Sequence, residues 1–236
     1  MTGLTTVTFR SKSIDEIIEI AVRAKLDGIE VGGDVHLPQG NIELAKSIRS
    51  KIIDAGLKIF SYGSYFKAGE SEISEFDGVL NSAVALGAPV IRVWTTSDGE
   101  KTIKALREVC AKAKRAGVEI GLEFHNGTYN DSGVRSLEII ERVGADNLFT
   151  YWQPLYEKAQ NLGDIEKVRH ICKHVHVYNW IYGEKETVRL KLNDPPDYWQ
   201  SYVKALGDKI YIMEFVRNDD EQEFYSDAEF LRSTVK

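Results

Sequence analysis

The chain has 236 residues, 43% of them hydrophobic, and no Pro/Ser-rich or low-complexity run divides it, so we predict one domain over residues 1–236. The formal net charge of −6 and the lack of a basic stripe argue against nucleic acid as a partner, which requires clustered Lys and Arg. Residues 1–13 lack the apolar core of a secretory signal and no apolar run could span a bilayer, so we predict a cytoplasmic protein that does not bind membranes.

The first predicted elements are a strand and a helix. Residues 4–9 are β-rich and apolar, which predicts the strand. Ser13 and Glu16 form a capping box, in which two side chains satisfy the free N–H groups at a helix start. The helical periodicity that follows places on one apolar face Ile14, Ile17, Ile18 and Ala21.

A glycine junction then recurs along the chain, where a helical stretch ends in Gly and a short β-rich apolar run follows at once. Gly just past a helix accepts the left-handed conformation that closes it, so each junction predicts a helix end and a strand start. The strands predicted in this way are residues 29–31, 57–60, 90–94, 118–123, 148–152 and 210–214. A further strand is predicted at residues 174–178, and residues 226–229 open a short final helix.

Eight predicted strands that alternate with helices indicate a parallel sheet, because parallel neighbours need a crossover connection. Eight such units in a chain of this length predict an α/β fold, a closed (β/α)8 TIM barrel. The alternative is an open doubly wound sheet, which usually carries a Gly-rich phosphate loop after its first strand. Here the first strand leads instead into the glycine-free sequence TFRSKS of residues 8–13.

Polar residues stand where several predicted strands end, namely at Glu30, Glu123, Gln153, His176 and Glu214. In a barrel these ends surround the mouth that holds the active site. A buried carboxylate must be paired, protonated or bound to a metal to offset its lost hydration. Several carboxylates around one barrel mouth therefore predict a divalent-metal site. The alternatives are an internal ion pair between Glu30 and Arg92, and a hydrogen-bonded core histidine at position 176.

Four short runs resemble the xylose isomerase-like barrels, and more narrowly the sugar phosphate isomerase/epimerase family. They are residues 28–31 (GIEV), 122–127 (LEFHNG), 174–176 (HVH) and 212–215 (IMEF). Each run is short, but their order and spacing together cover almost the whole chain. The resemblance implies a TIM barrel and a metal-dependent enzyme that acts on a small carbohydrate.

The resemblance also implies roles for individual residues. In that family a divalent metal (Mn, Mg, Co or Zn) is held by Glu, Asp, His and Glu from the fifth to eighth barrel strands. The matching positions here are Glu123, Gln153, His176 and Glu214. In the epimerases the two glutamates also act as acid and base on opposite faces of the substrate, which implies catalytic roles for Glu123 and Glu214.

Gln153 departs from this pattern, because the family has an aspartate there. An amide oxygen can still bind a hard cation, and some dehydratases of the superfamily have a Gln among their ligands. The two remaining carboxylates balance the charge of a divalent ion. We expect weaker metal retention and a more electrophilic ion; a metal-free site that only binds sugars is the alternative.

Residues around the mouth provide candidate substrate contacts: Glu30, Trp94, His125, Trp180 and Arg217. Aromatic faces pack against the C–H faces of sugars, although aromatics at barrel mouths are often only packing. His125 follows Glu123 by two residues and shares its strand face if the strand continues that far, and the alternative is a loop histidine. Arg217 would suit a phosphate or carboxylate, but no Gly-rich nest for phosphate is present, and a solvated loop arginine is the alternative.

These observations predict an isomerase or epimerase that uses an ene-diolate intermediate and two glutamates. One rival is a dehydratase of the inosose or dehydroshikimate type on the same scaffold, and another is a sugar-binding barrel without catalysis. The superfamily also contains DNA-repair endonucleases, but those assemble several zinc ions from many histidines, and this acidic chain has five. Self-association into a homo-oligomer is compatible with the sequence.

Overall fold

Eight parallel strands close into a barrel in the computed structural model, which describes residues 1–155, 158–182, 187–195 and 197–236. In chain order the strands are β1 (Thr2–Thr5), β2 (Gly28–Gly32), β3 (Lys58–Ala68), β4 (Val90–Thr95), β5 (Glu119–Leu122), β6 (Leu148–Trp152), β7 (Cys172–Val177), β8 (Trp180–Tyr182), β9 (Thr187–Arg189) and β10 (Ile210–Met213). Strands β1 to β7 pair in sequence, and β10 joins β7 to β1. The predicted (β/α)8 TIM barrel is therefore confirmed. An antiparallel hairpin of β8 and β9 lies outside it and was not predicted.

Helices follow the barrel strands and cover their outer side. Among the described residues they are α1 (Ile14–Arg23), α2 (Ile42–Asp54), α3 (Glu75–Leu86), α4 (Gly99–Arg115), α5 (Gly133–Val143), α6 (Lys158–Val168), α7 (Asp197–Leu206) and α8 (Glu221–Thr234). The capping box at Ser13 is present, with both reciprocal hydrogen bonds to Glu16. None of the helices in the described part of the chain is long and apolar enough to cross a membrane.

Several predicted boundaries were wrong. Strand β3, predicted over residues 57–60, continues to Ala68. The first strand ends at Thr5, and Thr6–Phe9 form a 3-10 helix. The Thr8 hydroxyl donates to the carbonyl of Glu214 (2.7 Å), so the chain leaves the sheet and bends over the end of β10. The final helix begins at Glu221 rather than at residue 226, because the Asp220 side chain caps it by accepting two backbone N–H groups.

The barrel has two apolar regions, because successive strand residues point to opposite faces. Outward-facing residues pack against the helices and form the larger core. A smaller cluster fills the barrel interior, formed by Phe60, Val90, Phe149, Tyr151 and Ile212. Above it, towards the carboxyl ends of the strands, the inner face becomes polar, and this change places the ionisable residues of the site over an apolar floor.

Asp227 in α8 gives a testable prediction about stability. Its carboxylate is buried and accepts the backbone N–H of Leu192 (3.0 Å), and burial raises its pKa from 3.8 to about 6. The folded protein therefore keeps a proton that the unfolded chain loses as pH rises from about 4, so stability falls until about pH 6. A pKa difference of this size between the unfolded and folded states corresponds to a change of about 3 kcal/mol in the free energy of unfolding.

Asp227→Asn keeps an oxygen for Leu192 but does not titrate. We expect the variant to match the wild type near pH 4 and to exceed it above pH 6, in the free energy of unfolding measured with urea. This account would be contradicted if the difference in the free energy of unfolding between variant and wild type were the same at pH 4.5 and at pH 7.5.

Candidate metal centre and active site

The five polar residues predicted at strand ends meet at the mouth of the barrel. Glu30 and His176 lie within β2 and β7, while Glu123, Gln153 and Glu214 directly follow β5, β6 and β10. All five point inward, and their exposed fractions lie between 0 and 7%. Parallel strands bring their carboxyl ends to one edge, which explains why residues far apart in sequence converge here.

Three of these residues form a compact group of donor atoms. One oxygen of Glu123, one imidazole nitrogen of His176 and one oxygen of Glu214 all lie within 4.8 Å of one another. The Oε1 atom of Gln153 lies 3.1 Å from Nδ1 of His176. The structure therefore brings together all four residues predicted as metal ligands.

The surroundings of His176 fit a cation at Nδ1. Nδ1 faces Oε1 of Gln153 (3.1 Å) and Oε2 of Glu214 (3.4 Å), while Nε2 faces Oε1 of Glu30 (3.3 Å). A neutral imidazole has only one N–H group and can therefore donate from only one nitrogen. Because both nitrogens of His176 face oxygen atoms, the lone pair of the unprotonated nitrogen faces an oxygen lone pair, which is unfavourable. If the proton is on Nε2, towards Glu30, a cation at Nδ1 would satisfy every one of these atoms. Metal-bound histidines usually donate their other N–H to a carboxylate in this way.

Arg92 from β4 is the cation of the site. Its guanidinium forms ion pairs with both Glu30 and Glu123, and all three side chains are buried. The pair with Glu30 was one of the alternatives raised by the sequence, whereas the pair with Glu123 was missed. Burial lowers the pKa of Arg92, but the charges of Glu30 and Glu214 outweigh it and raise that pKa above its ordinary value.

The charges of these groups also fit a divalent ion. Among the residues that the structure describes, the buried charged groups of the site are three carboxylates, Glu30, Glu123 and Glu214, and one guanidinium, Arg92. With a neutral imidazole, two negative charges remain without a balancing cation in this group. Buried charges need a partner, and oxygen and imidazole donors suit ions such as Mn²⁺ or Zn²⁺. The residues present therefore fit a divalent metal, and a carboxylate at position 153 would have left an excess negative charge.

Glu30 is fully enclosed by other side chains. Oε2 accepts from Ser61 (2.7 Å) and Tyr151 (3.1 Å), and Oε1 faces Arg92 (3.2 Å) as well as His176. Burial raises the pKa of Glu30, but the charge of Arg92 and the contacts with His176 outweigh burial and hold that pKa well below its ordinary value. Glu30 is thus an anion surrounded by donors, a geometry that suits orientation of neighbouring groups more than contact with a substrate.

The backbone that presents the two catalytic candidates is fixed by polar side chains that sequence reasoning missed. Asn130 donates from its amide to the carbonyl of Glu123 (2.9 Å) and accepts from Ser136 (2.6 Å). Thr8 donates to the carbonyl of Glu214. The only sequence signal was that Asn130 and Thr8 are polar residues shortly after β5 and β1.

The predicted substrate contacts form two groups at the mouth. Trp94 and His125 stack with their ring centroids 4.5 Å apart. Trp94 follows Arg92 by two residues on the same face of β4, whereas His125 lies in the loop after β5, because that strand ends at Leu122 and does not continue to His125. Trp180 stacks on Phe215 at 5.4 Å, beside Glu214. Arg217 is half-buried and pairs with Glu223. The structure thus places aromatic rings on two sides of the candidate site, and the role of these residues in substrate binding stays a prediction.

A cavity of about 550 Å³ lies at the opposite, amino-terminal end of the barrel. Its lining includes Lys58, Phe60, Cys172 and His174, which belong to the starts or lower parts of their strands. Chemistry in such barrels takes place at the carboxyl ends of the strands. We therefore place the candidate active site at the Glu–His group and not in this cavity.

Several solved structures are similar to this chain over nearly its whole length. The probable 3-DHS dehydratase AsbF from Bacillus anthracis superposes with a TM-score of 0.83 at 16% identity, covering 98% of this chain and 99% of that one. D-psicose 3-epimerase from Clostridium cellulolyticum H10, solved with D-tagatose, gives 0.78 at 15% identity over 100% and 99%. A xylose isomerase-like TIM barrel protein from Mycobacterium smegmatis in complex with magnesium gives 0.73 at 13% identity over 100% and 97%.

These solved structures share the fold with the chain, and at such identities they show the fold alone. No curated protein sequence matches the chain. The model of the xylose isomerase-like TIM barrel family matches residues 18–234, which is nearly the whole sequence. The chain therefore belongs to the xylose isomerase-like TIM barrel family.

Proposed function

We propose that this protein is a divalent-metal-dependent isomerase or epimerase of a small sugar or polyol-derived carbonyl compound. The observation that carries the proposal is the convergence of donor atoms from Glu123, His176 and Glu214 within 4.8 Å of one another at the carboxyl end of the barrel. The chemistries named for the epimerase and dehydratase neighbours agree with such a site.

A Mn, Mg, Co or Zn ion would be held by Glu123, Gln153, His176 and Glu214. When bound, such an ion polarises a carbonyl and stabilises the negative charge that develops on its oxygen. The neutral amide of Gln153 leaves more of that positive charge for the substrate than an aspartate would. Arg92 stabilises the charged form of Glu123, so that this carboxylate stays a good anionic ligand.

The proton transfers fall to the two glutamates. Glu123 and Glu214 come from strands on separate arcs of the barrel, so they approach a substrate in the mouth from different sides. One carboxylate removes the proton from the carbon next to the carbonyl, which gives an ene-diolate. The same group or its partner then returns a proton to another carbon or to the opposite face. The rings of Trp94 and Trp180 could hold the C–H faces of the sugar in place.

A panel of keto-sugars in deuterium oxide, with metal supplied, tests this proposal. We expect at least one sugar to give an isomer or epimer and to incorporate solvent deuterium at the carbon next to the carbonyl. If no sugar gives either product or deuterium exchange with any of the four metals, the proposal fails.

A dehydratase of the inosose or dehydroshikimate type is the second candidate. It would form the same enolate and then expel a β-hydroxyl group as water. Gln153 favours this alternative to some degree, because a more electrophilic ion assists departure of a hydroxyl. A new ultraviolet absorbance from a conjugated enone would identify it. Binding of a sugar without turnover at any metal concentration would indicate a sugar-binding barrel instead.

Gln153→Asp gives a direct prediction about the metal. An anionic oxygen is the stronger ligand for a hard cation, so we expect manganese to bind about tenfold more tightly to the variant. Activity is not expected to rise with affinity, because the added charge makes the ion less able to polarise a carbonyl. Calorimetric titration of manganese into chelator-treated wild type and variant measures the difference.

The outcomes of this titration are distinct. Tighter binding by the variant supports residue 153 as a ligand, and binding that arises only in the variant shows that the natural site retains metal poorly. Equal, measurable affinity in both proteins would show that the side chain at 153 does not contact the ion.

A further inference from the structure

A chain of hydrogen bonds runs through the barrel interior beneath the candidate site. Nδ1 of His174 lies 2.8 Å from the hydroxyl of Tyr151, which lies 3.1 Å from Oε2 of Glu30. Oε1 of Glu30 faces Nε2 of His176 at 3.3 Å. We propose that Tyr151 is a positioning residue: through Glu30 it keeps the proton of His176 on Nε2 and so leaves Nδ1 free to bind the metal. This inference rests on the metal site of the proposed function.

The direction of the protons along this chain follows from the chemistry of its members. A carboxylate only accepts hydrogen bonds, so the hydroxyl of Tyr151 must donate to Glu30. That hydroxyl can then only accept from His174, whose Nδ1 must carry a proton. The same rule applies at the other end, where the contact between Glu30 and His176 is a hydrogen bond only if Nε2 carries the proton.

The ring of Tyr151 has little freedom to leave this position. It is fully buried and stacks on Phe149 with ring centroids 5.8 Å apart. A Cβ atom at Gly121 would lie 2.3 Å from Cε2 of Tyr151, so the ring occupies space that only glycine leaves open on β5. The ring also meets the imidazole of His176 edge-on at 5.1 Å. Tyr151 therefore contacts the imidazole of His176 directly through its ring and indirectly through Glu30.

Glu30 is the member whose position depends on Tyr151. Arg92 and His176 compete for Oε1, while Ser61 and Tyr151 hold Oε2. Without the tyrosine hydroxyl, the ion pair with Arg92 can draw the carboxylate away from His176. The imidazole would then be free to place its proton on Nδ1, where it would donate to Gln153 or Glu214 and exclude a cation.

Tyr151→Phe tests the proposal, with Tyr211→Phe as the matched control. Tyr211 is a fully buried tyrosine of β10 that faces the helices and donates to the carbonyl of Gly207 (2.7 Å). Its loss removes a buried hydroxyl without touching Glu30 or His176. Both variants receive two measurements: nitrogen NMR of ¹⁵N-histidine-labelled, metal-free protein, and calorimetric titration with manganese.

We expect His176 to carry its proton on Nε2 in the wild type and in Tyr211→Phe, and to show a mixture of both tautomers in Tyr151→Phe. We expect manganese affinity to fall about tenfold or more in Tyr151→Phe only, since partners of metal ligands typically contribute 10–100-fold to affinity. A wild-type tautomer and wild-type affinity in Tyr151→Phe would overturn the proposal.

The proposal and the proposed function can fail separately. If the wild type binds no manganese, the metal-dependent function fails, and the tautomer of His176 in Tyr151→Phe still decides the positioning role. If metal binds and Tyr151→Phe behaves like its control in both measurements, the positioning role fails and the proposed function stands.

Discussion

Glu123→Gln and Glu214→Gln are each expected to lower turnover about a thousandfold while the barrel stays folded. Each exchange removes a group that can carry a proton and replaces a charged metal ligand by a neutral one. Glu123 and Glu214 follow strands on separate arcs of the barrel, so each serves a different side of the substrate in the proposed mechanism, and neither is expected to take over the role of the other.

Turnover is measured as product formation and deuterium exchange on the sugar that the panel identifies, and folding is measured by urea unfolding. Glu119→Gln is the matched control, because Glu119 begins the strand that Glu123 follows and pairs with Lys173 at the far end of the barrel. We expect the control to keep wild-type turnover. Retention of more than about a tenth of the activity by either site variant would contradict the assignment of acid and base.

The two glutamate variants should differ in stability. Glu123→Gln removes one of the two ion pairs of buried Arg92 and should lower the free energy of unfolding. Glu214 adds to the negative charge around Arg92 without a direct ion pair, so Glu214→Gln should lower the stability of the metal-free protein less than Glu123→Gln does. Equal losses of stability in both would contradict this distribution of charge.

Arg92→Leu is expected to destabilise the protein by about 3–5 kcal/mol, because removing one member of a buried ion pair leaves the others charged without compensation. Arg92 is buried and contacts both Glu30 and Glu123. A Cβ atom at Gly63 would lie 2.7 Å from its Nη2 atom, so the guanidinium fills a space that β3 leaves open for it. The loss therefore combines uncompensated charge with a cavity.

Arg142→Leu provides the control for this prediction. Arg142 in α5 also pairs with two carboxylates, Glu100 and Glu138, but it does so at the surface. Exposed ion pairs contribute about 0–1 kcal/mol, so we expect a small change. Urea unfolding of both variants, with and without manganese, measures the difference, and manganese should stabilise Arg92→Leu more than the wild type. A loss in Arg92→Leu no larger than that in Arg142→Leu would contradict the role of Arg92.

Local patterns in the sequence predicted most of the architecture. The glycine junctions marked helix ends, such as Gly87 and Gly144, which adopt the left-handed conformation that closes a helix. The boundaries that failed lie where tertiary contacts compete with local preference. The Thr8 hydroxyl donates a hydrogen bond to the carbonyl of Glu214, which follows β10 and lies 206 residues later in the chain. This contact ends the first strand earlier than its apolar pattern predicts.

The sequence by itself determined the barrel and the strand ends at which ionisable residues appear, because periodicity fixes which face of a strand each side chain occupies. Its resemblance to a family supplied the set of ligands. Only the tertiary structure decided which side chains pair with these ionisable residues. Arg92 pairs with Glu123 as well as Glu30, and Tyr151 reaches Glu30 from the other side of the barrel. These contacts depend on the register and closure of eight strands, which set distances across the barrel that spacing along the chain does not encode.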